Sequence, residues 1–326
     1  MTEANTPGRK AFVAPLFLFV AATLIAELLI GSTPLSRINT LLFQFPYYGS
    51  AALVIREIVL RHRLSRAALV LLGVAFGIVT EGLALQSVFN PHFLNLDIAF
   101  GRVGDVNWPW ALYMVGYHAI WSITIPVTLA GLVFPGRRDE PWLGRLGAGL
   151  FLLWFVVMAF AFHAIFVKMS GFRAPAGPYA VAALAAAVLV AAALRLKRRE
   201  APATQASGSA WRPGIVMFGS GILWLGLYGE IFRHPPMAPP TLNLVLGLMV
   251  VAGFAGSIAR WAPEHGTDRQ RLSFVAGGLA ANTLFGFVVV SGSPLDTGGQ
   301  AAVALLVAAG LYWLGRRTAG AGQPVL

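Results

Sequence analysis

The 326 residues include no cysteine, which excludes a disulfide framework and any thiolate metal site. Charge is scarce as well. Asp, Glu, Lys and Arg together make up 11% of the chain, against about 25% in a soluble domain. Acidic residues are scarcest, 13 against 24 Lys and Arg. What fills the space is apolar: 57% of residues are hydrophobic and mean hydropathy is +0.71. Folded in water, such a chain would expose large apolar patches. The expected class is therefore an all-α, polytopic integral membrane protein.

A hydrocarbon core takes roughly 20 apolar residues per helical span. Runs that qualify start near Ala11, Asn39, Ala67, Trp110, Leu146, Pro178, Pro213, Thr241, Leu272 and Gln300, giving about ten spans, of which the sixth and tenth are shortest. Arg9 and Lys10 precede the first run as they would in a signal peptide. That run is long, contains Glu27 and lacks a small-residue cleavage site, so it reads as a retained span.

The basic residues explain the net charge of +11. With the N-terminus inside and strict alternation, 19 of the 24 Lys and Arg fall in inner segments. Only Arg37, Arg102, Lys168, Arg173 and Arg233 lie outside. This is the positive-inside pattern, with both termini in the cytoplasm. It accounts for the charge without nucleic acid. The implied location is the cytoplasmic (inner) membrane of a bacterium, and the implied partner is the lipid bilayer.

Two connections are long. NPHFLNLDIAFGRVGDVNWPW follows the third run on the outer side, with tryptophans suited to an interface. LKRREAPATQASGSAWRP follows the sixth on the inner side and reads as a flexible linker. It divides a front bundle of about six spans, residues 1–200, from a back bundle of about four, residues 201–326. The two halves share no polar pattern.

Ionisable groups inside a bilayer are expensive, by some scales about 2.5–3.5 kcal/mol each, and each marks a candidate site. They are Glu27, Glu81, His118, His163 and Glu230. From the helical rise of about 1.5 Å per residue, Glu81 and His118 lie roughly 12 Å below the outer face, with His163 at similar depth. Glu27 and Glu230 lie nearer the surface, where hydration alone could support them. All five belong to the outer half. Runs three and four are consecutive and antiparallel, so Glu81 is expected to face His118. Gly73 and Gly77 precede Glu81 at intervals of four, and small residues so spaced let helices approach closely. Ser122 lies one turn from His118 on the same stripe. Tyr47 and Tyr48, Gln86 and Asn90 are candidates to line the same cavity.

A carboxylate and an imidazole in low dielectric suit acid–base catalysis or proton-coupled transport. His163 joins Glu81 and His118 as a candidate catalytic group. Glu27, Tyr47, Gln86, Asn90, Ser122 and Glu230 are candidates for substrate binding. No HExxH or paired acidic motif calls for a metal, and no cofactor is implied.

TEGLALQ in a membrane helix, followed one span later by YHAIWS, resembles the CPBP family of intramembrane proteases, which includes CAAX prenyl proteases and bacteriocin-processing relatives. The resemblance covers about 60 residues and implies catalytic roles for Glu81 and His118. Thr80 stands where that family has a second glutamate, Gln86 near its arginine and Ser122 at its asparagine. The expected function is acid–base chemistry on a lipidic or membrane-anchored substrate. A small-molecule or proton-coupled carrier, and a non-catalytic assembly protein, are the alternatives.

Overall fold

The computed structural model describes residues 7–93, 102–198, 209–231 and 266–320, with a few helical positions between 245 and 255. The described chain is nearly all-α. In order it runs α1 (Pro7–Thr23), α2 (Leu41–Gln44), α3 (Ser50–Arg61), α4 (Arg66–Ile78), the short strands β1 (Arg102–Val103) and β2 (Val106–Asn107), α5 (Trp108–Tyr117), α6 (Ile125–Val133), α7 (Arg145–Ser170), α8 (Ala176–Arg195), α9 (Arg212–Ile231), α10 (Asp268–Val289) and α11 (Pro294–Gly320). Nine of the ten apolar runs fall on described helices, and the described positions of the eighth are helical too. The eighth lies largely outside the described residues, as do most of the 199–212 linker and part of the 90–110 connection.

Among the described residues, six helical stretches are long and apolar enough to cross a membrane: Arg66–Ala84, Trp108–Val133, Arg145–Ser170, Ala176–Arg195, Asp268–Val289 and Pro294–Ala319. The short sixth and tenth runs are both among them. The first run gives a shorter apolar helix, Phe12–Leu28. The second is broken by 3₁₀ and π-helical turns before α3.

Local sequence sets several boundaries. Ser65 caps α4 by accepting from the Ala68 amide, and Asn107 caps α5 by accepting from the Trp110 amide at 2.9 Å. Thr267 and Gln270 form a capping box on α10. Gly171, with φ +65°, closes α7 in the left-handed conformation that glycine adopts without strain.

Four helices widen into π-turns: Leu24–Leu28 after α1, Phe45–Gly49 before α3, Val79–Ala84 after α4 and His118–Thr124 between α5 and α6. Pro46 falls inside the second and Pro126 just after the fourth. Proline lacks the amide that a regular helix needs, which accounts for the local rewinding at those two turns. Gaps so opened are filled by side chains from other helices. Tyr117 donates to Ala26 O at 2.9 Å, and Asn282 donates to Ile25 O at 2.9 Å.

One core cluster joins both halves of the chain, with Trp121, Trp224, Leu225 and Leu279 among its members. The Trp121 indole donates to Gly278 O at 2.9 Å. By contrast α7 buries no residue, and exposes Leu146 (77%), Phe160 (70%) and Met169 (69%). In water that face would be a large apolar patch. In lipid it is a normal surface.

Two segments that the sequence assigns to the inner side, around Arg56 and around residues 137–142, pack together. Arg56 donates from Nη2 to the carbonyls of Arg137, Arg138 and Glu140, each at 3.1 Å. Its guanidinium lies 3.2 Å from the Trp142 ring centroid. Beside it Glu57 accepts from the Trp142 amide at 2.6 Å. Sequence places Arg56 among loop charges. The structure buries both Arg56 and Glu57.

Candidate functional site

Glu81 belongs to the π-turn after α4, and His118 opens the π-turn after α5. Their helices touch backbone to backbone. A Cβ built on Gly73 would lie 2.9 Å from Ala119 Cα, and one on Gly77 would lie 2.9 Å from Val115 Cα. The glycine spacing read from the sequence thus falls on the helix that carries His118.

That approach brings His118 Nε2 to 2.8 Å from Glu81 Oε1. On the other side of the ring, His118 Nδ1 lies 3.0 Å from Ser122 Oγ. The hydroxyl of Ser87 donates to Glu81 Oε2. Ser87 in turn accepts from the Trp110 indole at 3.0 Å, which leaves its own hydrogen for the carboxylate. The result is a continuous order: indole, hydroxyl, carboxylate, imidazole, hydroxyl. Exposure is 1% at Glu81, 1% at His118 and 0% at Ser122. Aromatic rings close round the imidazole, with Phe76, Tyr48 and Tyr117 centroids at 5.5, 5.8 and 5.9 Å.

Charge bookkeeping restricts this dry network. With His118 protonated only on Nε2, the imidazole donates to Glu81 and Nδ1 accepts from Ser122. One further proton on Nδ1 needs only a rotation of the Ser122 hydroxyl. A bare carboxylate with a neutral imidazole leaves a net negative charge in low dielectric, which is costly. One added proton makes the pair neutral overall.

The other candidates divide into separate groups. Tyr47, in the Phe45–Gly49 turn, meets Thr80 at 2.9 Å, and Thr80 donates to Phe76 O at 2.9 Å, so Tyr47 is the donor between them. Tyr48 packs its ring against Phe76 and His118, with centroids 5.8 Å away in each case. His163 bonds instead to Leu83 O, through Nδ1 at 2.9 Å. Because a carbonyl only accepts, that nitrogen carries the hydrogen. His163 therefore caps the end of the Glu81 turn from a neighbouring helix. No hydrogen bond joins it to Glu81 or His118 among the described residues. Gln86, at φ +55°, accepts from the Ala174 amide at 2.7 Å. Asn90 accepts from the His92 amide at 2.9 Å. Glu27 forms its own cluster with Ser32, Thr33 and Gln44. The Glu230 side chain lies outside the described residues.

Sequence reasoning missed Ser87, Trp110 and Asn282. Asn282 lay open to view, a polar residue in the apolar run LAANTLFG, but only ionisable groups were sought there. Among the described residues no group of three His, Cys, Asp or Glu side chains is placed to hold a metal ion.

Residues 16–169 match the model of an uncharacterized membrane protein family. The chain is an integral membrane protein. The matched stretch includes Glu27, Tyr47, Glu81, His118, Ser122 and His163, and leaves out Glu230. No curated protein and no solved structure matches the chain. The matching family is not that of the CPBP proteases. At the positions where their motif differs, Thr80 pairs with Tyr47, Gln86 lies past the helix end, and Ser122 binds His118.

Proposed function

We propose that this membrane protein uses Glu81 and His118 as an intramembrane acid–base centre acting on a lipidic or membrane-anchored substrate. The observation that supports this best is the order hydroxyl–imidazole–carboxylate, with Ser122 Oγ at 3.0 Å from one ring nitrogen and Glu81 Oε1 at 2.8 Å from the other. A base within hydrogen-bond reach of a hydroxyl, and oriented by a third group, is the arrangement that activates a nucleophile or relays a proton. In this reading His118 accepts and returns the proton, Glu81 stabilises the imidazolium, and Ser122 is the exchangeable hydroxyl. Ser87 and Trp110 hold the far carboxylate oxygen and so fix its plane. The aromatic lining favours an apolar substrate, and the bare flank of α7 borders lipid.

Enclosure favours a second reading, a proton-coupled carrier. A pair with 1% exposure can hold a proton away from both aqueous phases, as carriers require. Lipid mass spectrometry on membranes carrying wild type, Glu81→Gln or Ser122→Ala separates the two. Lipid species that appear or vanish only with wild type support the enzyme. Identical lipid profiles, together with a Glu81-dependent proton flux in proteoliposomes, would replace it by the carrier.

A further inference from the structure

The cluster around Glu27 plays no part in the acid–base centre and has a physical oddity of its own. Glu27 lies in the π-turn that ends the first helix. Unpaired carbonyls give that end of a helix a partial negative charge, so a carboxylate there is repelled and a cation attracted. Among the described residues no ion pair neutralises it. Arg37, the closest cation in sequence, donates to Ser32 O instead, at 3.3 Å.

Two hydroxyls and the side-chain amide of Gln44, whose Nε2 lies 3.3 Å from Glu27 Oε2, surround the carboxylate. Gly31, at φ +81°, turns the chain back so that Ser32 and Thr33 face the carboxylate. Ser32 Oγ lies 2.8 Å from Glu27 Oε2 and 3.1 Å from Glu27 O. Thr33 Oγ1 lies 3.0 Å from Glu27 Oε2 and 3.2 Å from Gln44 Oε1. Ser32 is exposed and Thr33 buried, so the cluster runs from the surface inward. In this state both hydroxyls and the Gln44 amide donate to the carboxylate.

We infer that Glu27, Ser32, Thr33 and Gln44 form a binding site for a sodium-sized monovalent cation. One carboxylate with hydroxyl, amide and backbone oxygens is a hard donor set, which selects alkali and alkaline-earth ions over transition metals. A single negative charge balances a monovalent ion and leaves a divalent one uncompensated in a half-buried site. Broken helix ends with free carbonyls hold such ions in membrane carriers. On binding, the two hydroxyls rotate and the Gln44 amide turns its Oε1 in place of its NH2, so that lone pairs face the ion. The site is separate from Glu81 and stands whether or not the acid–base reading does.

The test is thermal unfolding of the purified full chain in detergent, at fixed pH and ionic strength, in sodium, potassium or choline chloride. Sodium is expected to raise Tm in a saturable way, with little effect of potassium. Glu27→Gln should abolish the response, while Glu81→Gln should keep it. Ser32→Ala, an exposed change that leaves the fold intact, should move the sodium midpoint several-fold upward with Tm in choline unchanged. Equal Tm in the three salts would overturn the inference. So would a sodium response that survives both Glu27→Gln and Ser32→Ala. If Glu27→Gln does not fold, the Ser32→Ala titration decides.

Discussion

Gly77 meets Val115 so closely that a Cβ on the glycine would stand 2.9 Å from both the Cα and the carbonyl oxygen of Val115. The obstruction is backbone, which cannot step aside as a flexible side chain would. This contact, one turn before Glu81, sets the distance between the helices that bear the carboxylate and the imidazole. Gly77→Ala should therefore destabilise the protein by about 1–3 kcal/mol, the usual cost of overpacking. Gly219→Ala, where nothing lies within 4 Å of the added Cβ, should change Tm little. Equal Tm for the two variants would show that the close approach is not maintained.

Removing either partner of the buried pair strands the other. Glu81→Ala and His118→Ala should thus be non-additive in stability by about 1–3 kcal/mol. Additivity within about 0.5 kcal/mol, measured by denaturation in detergent, would show that the two side chains do not interact.

Glu81→Gln alone should fold and melt close to wild type. The amide oxygen can accept from His118 Nε2–H, and its NH2 can donate to Ser87 Oγ. No charge then has to be buried. A large fall in Tm would indicate an ionised glutamate whose role is to neutralise a permanent imidazolium, and the catalytic reading would fail.

Arg56→Ala should be severe. It leaves three carbonyls without their donor, uncovers the Trp142 ring and leaves Glu57 beside an emptied site. Glu57 keeps Arg61 Nη2 at 3.1 Å, so the cost comes from the buried carbonyls and the lost packing, about 1–3 kcal/mol for each group left unsatisfied. The double variant Arg56→Ala, Glu57→Ala should lose less than the two single losses summed, as read from Tm. A mild effect of Arg56→Ala would place the guanidinium in solvent.

Much of this was legible in the chain. Hydropathy gave the helices, and the Gly73–Gly77–Glu81 interval pointed to the helix face that meets His118. Depth counting put Glu81 and His118 level. What could not be read was the rewinding of the helix. In a regular helix Ser87, six residues past Glu81, points elsewhere. The π-turn at Val79–Ala84 and the left-handed Gln86 fold it back onto the carboxylate. The same turn leaves Leu83 O free, and His163 is spent on that carbonyl. Equal depth suggested that His163 would join the pair, but depth carries no information on which way a ring faces. Arg56 was hidden for another reason. Charge pattern assigns it to a basic connection, and only the folded 135–142 segment supplies the carbonyls and the indole that make its burial affordable.

The most direct test of the Glu81–His118 hydrogen bond is the infrared carboxyl region, recorded on wild type, Glu81→Gln and His118→Ala in lipid nanodiscs. A Glu81 band that vanishes in Glu81→Gln and moves in frequency in His118→Ala is the expected result. A Glu81 band at the same frequency with or without His118 would contradict the acid–base centre.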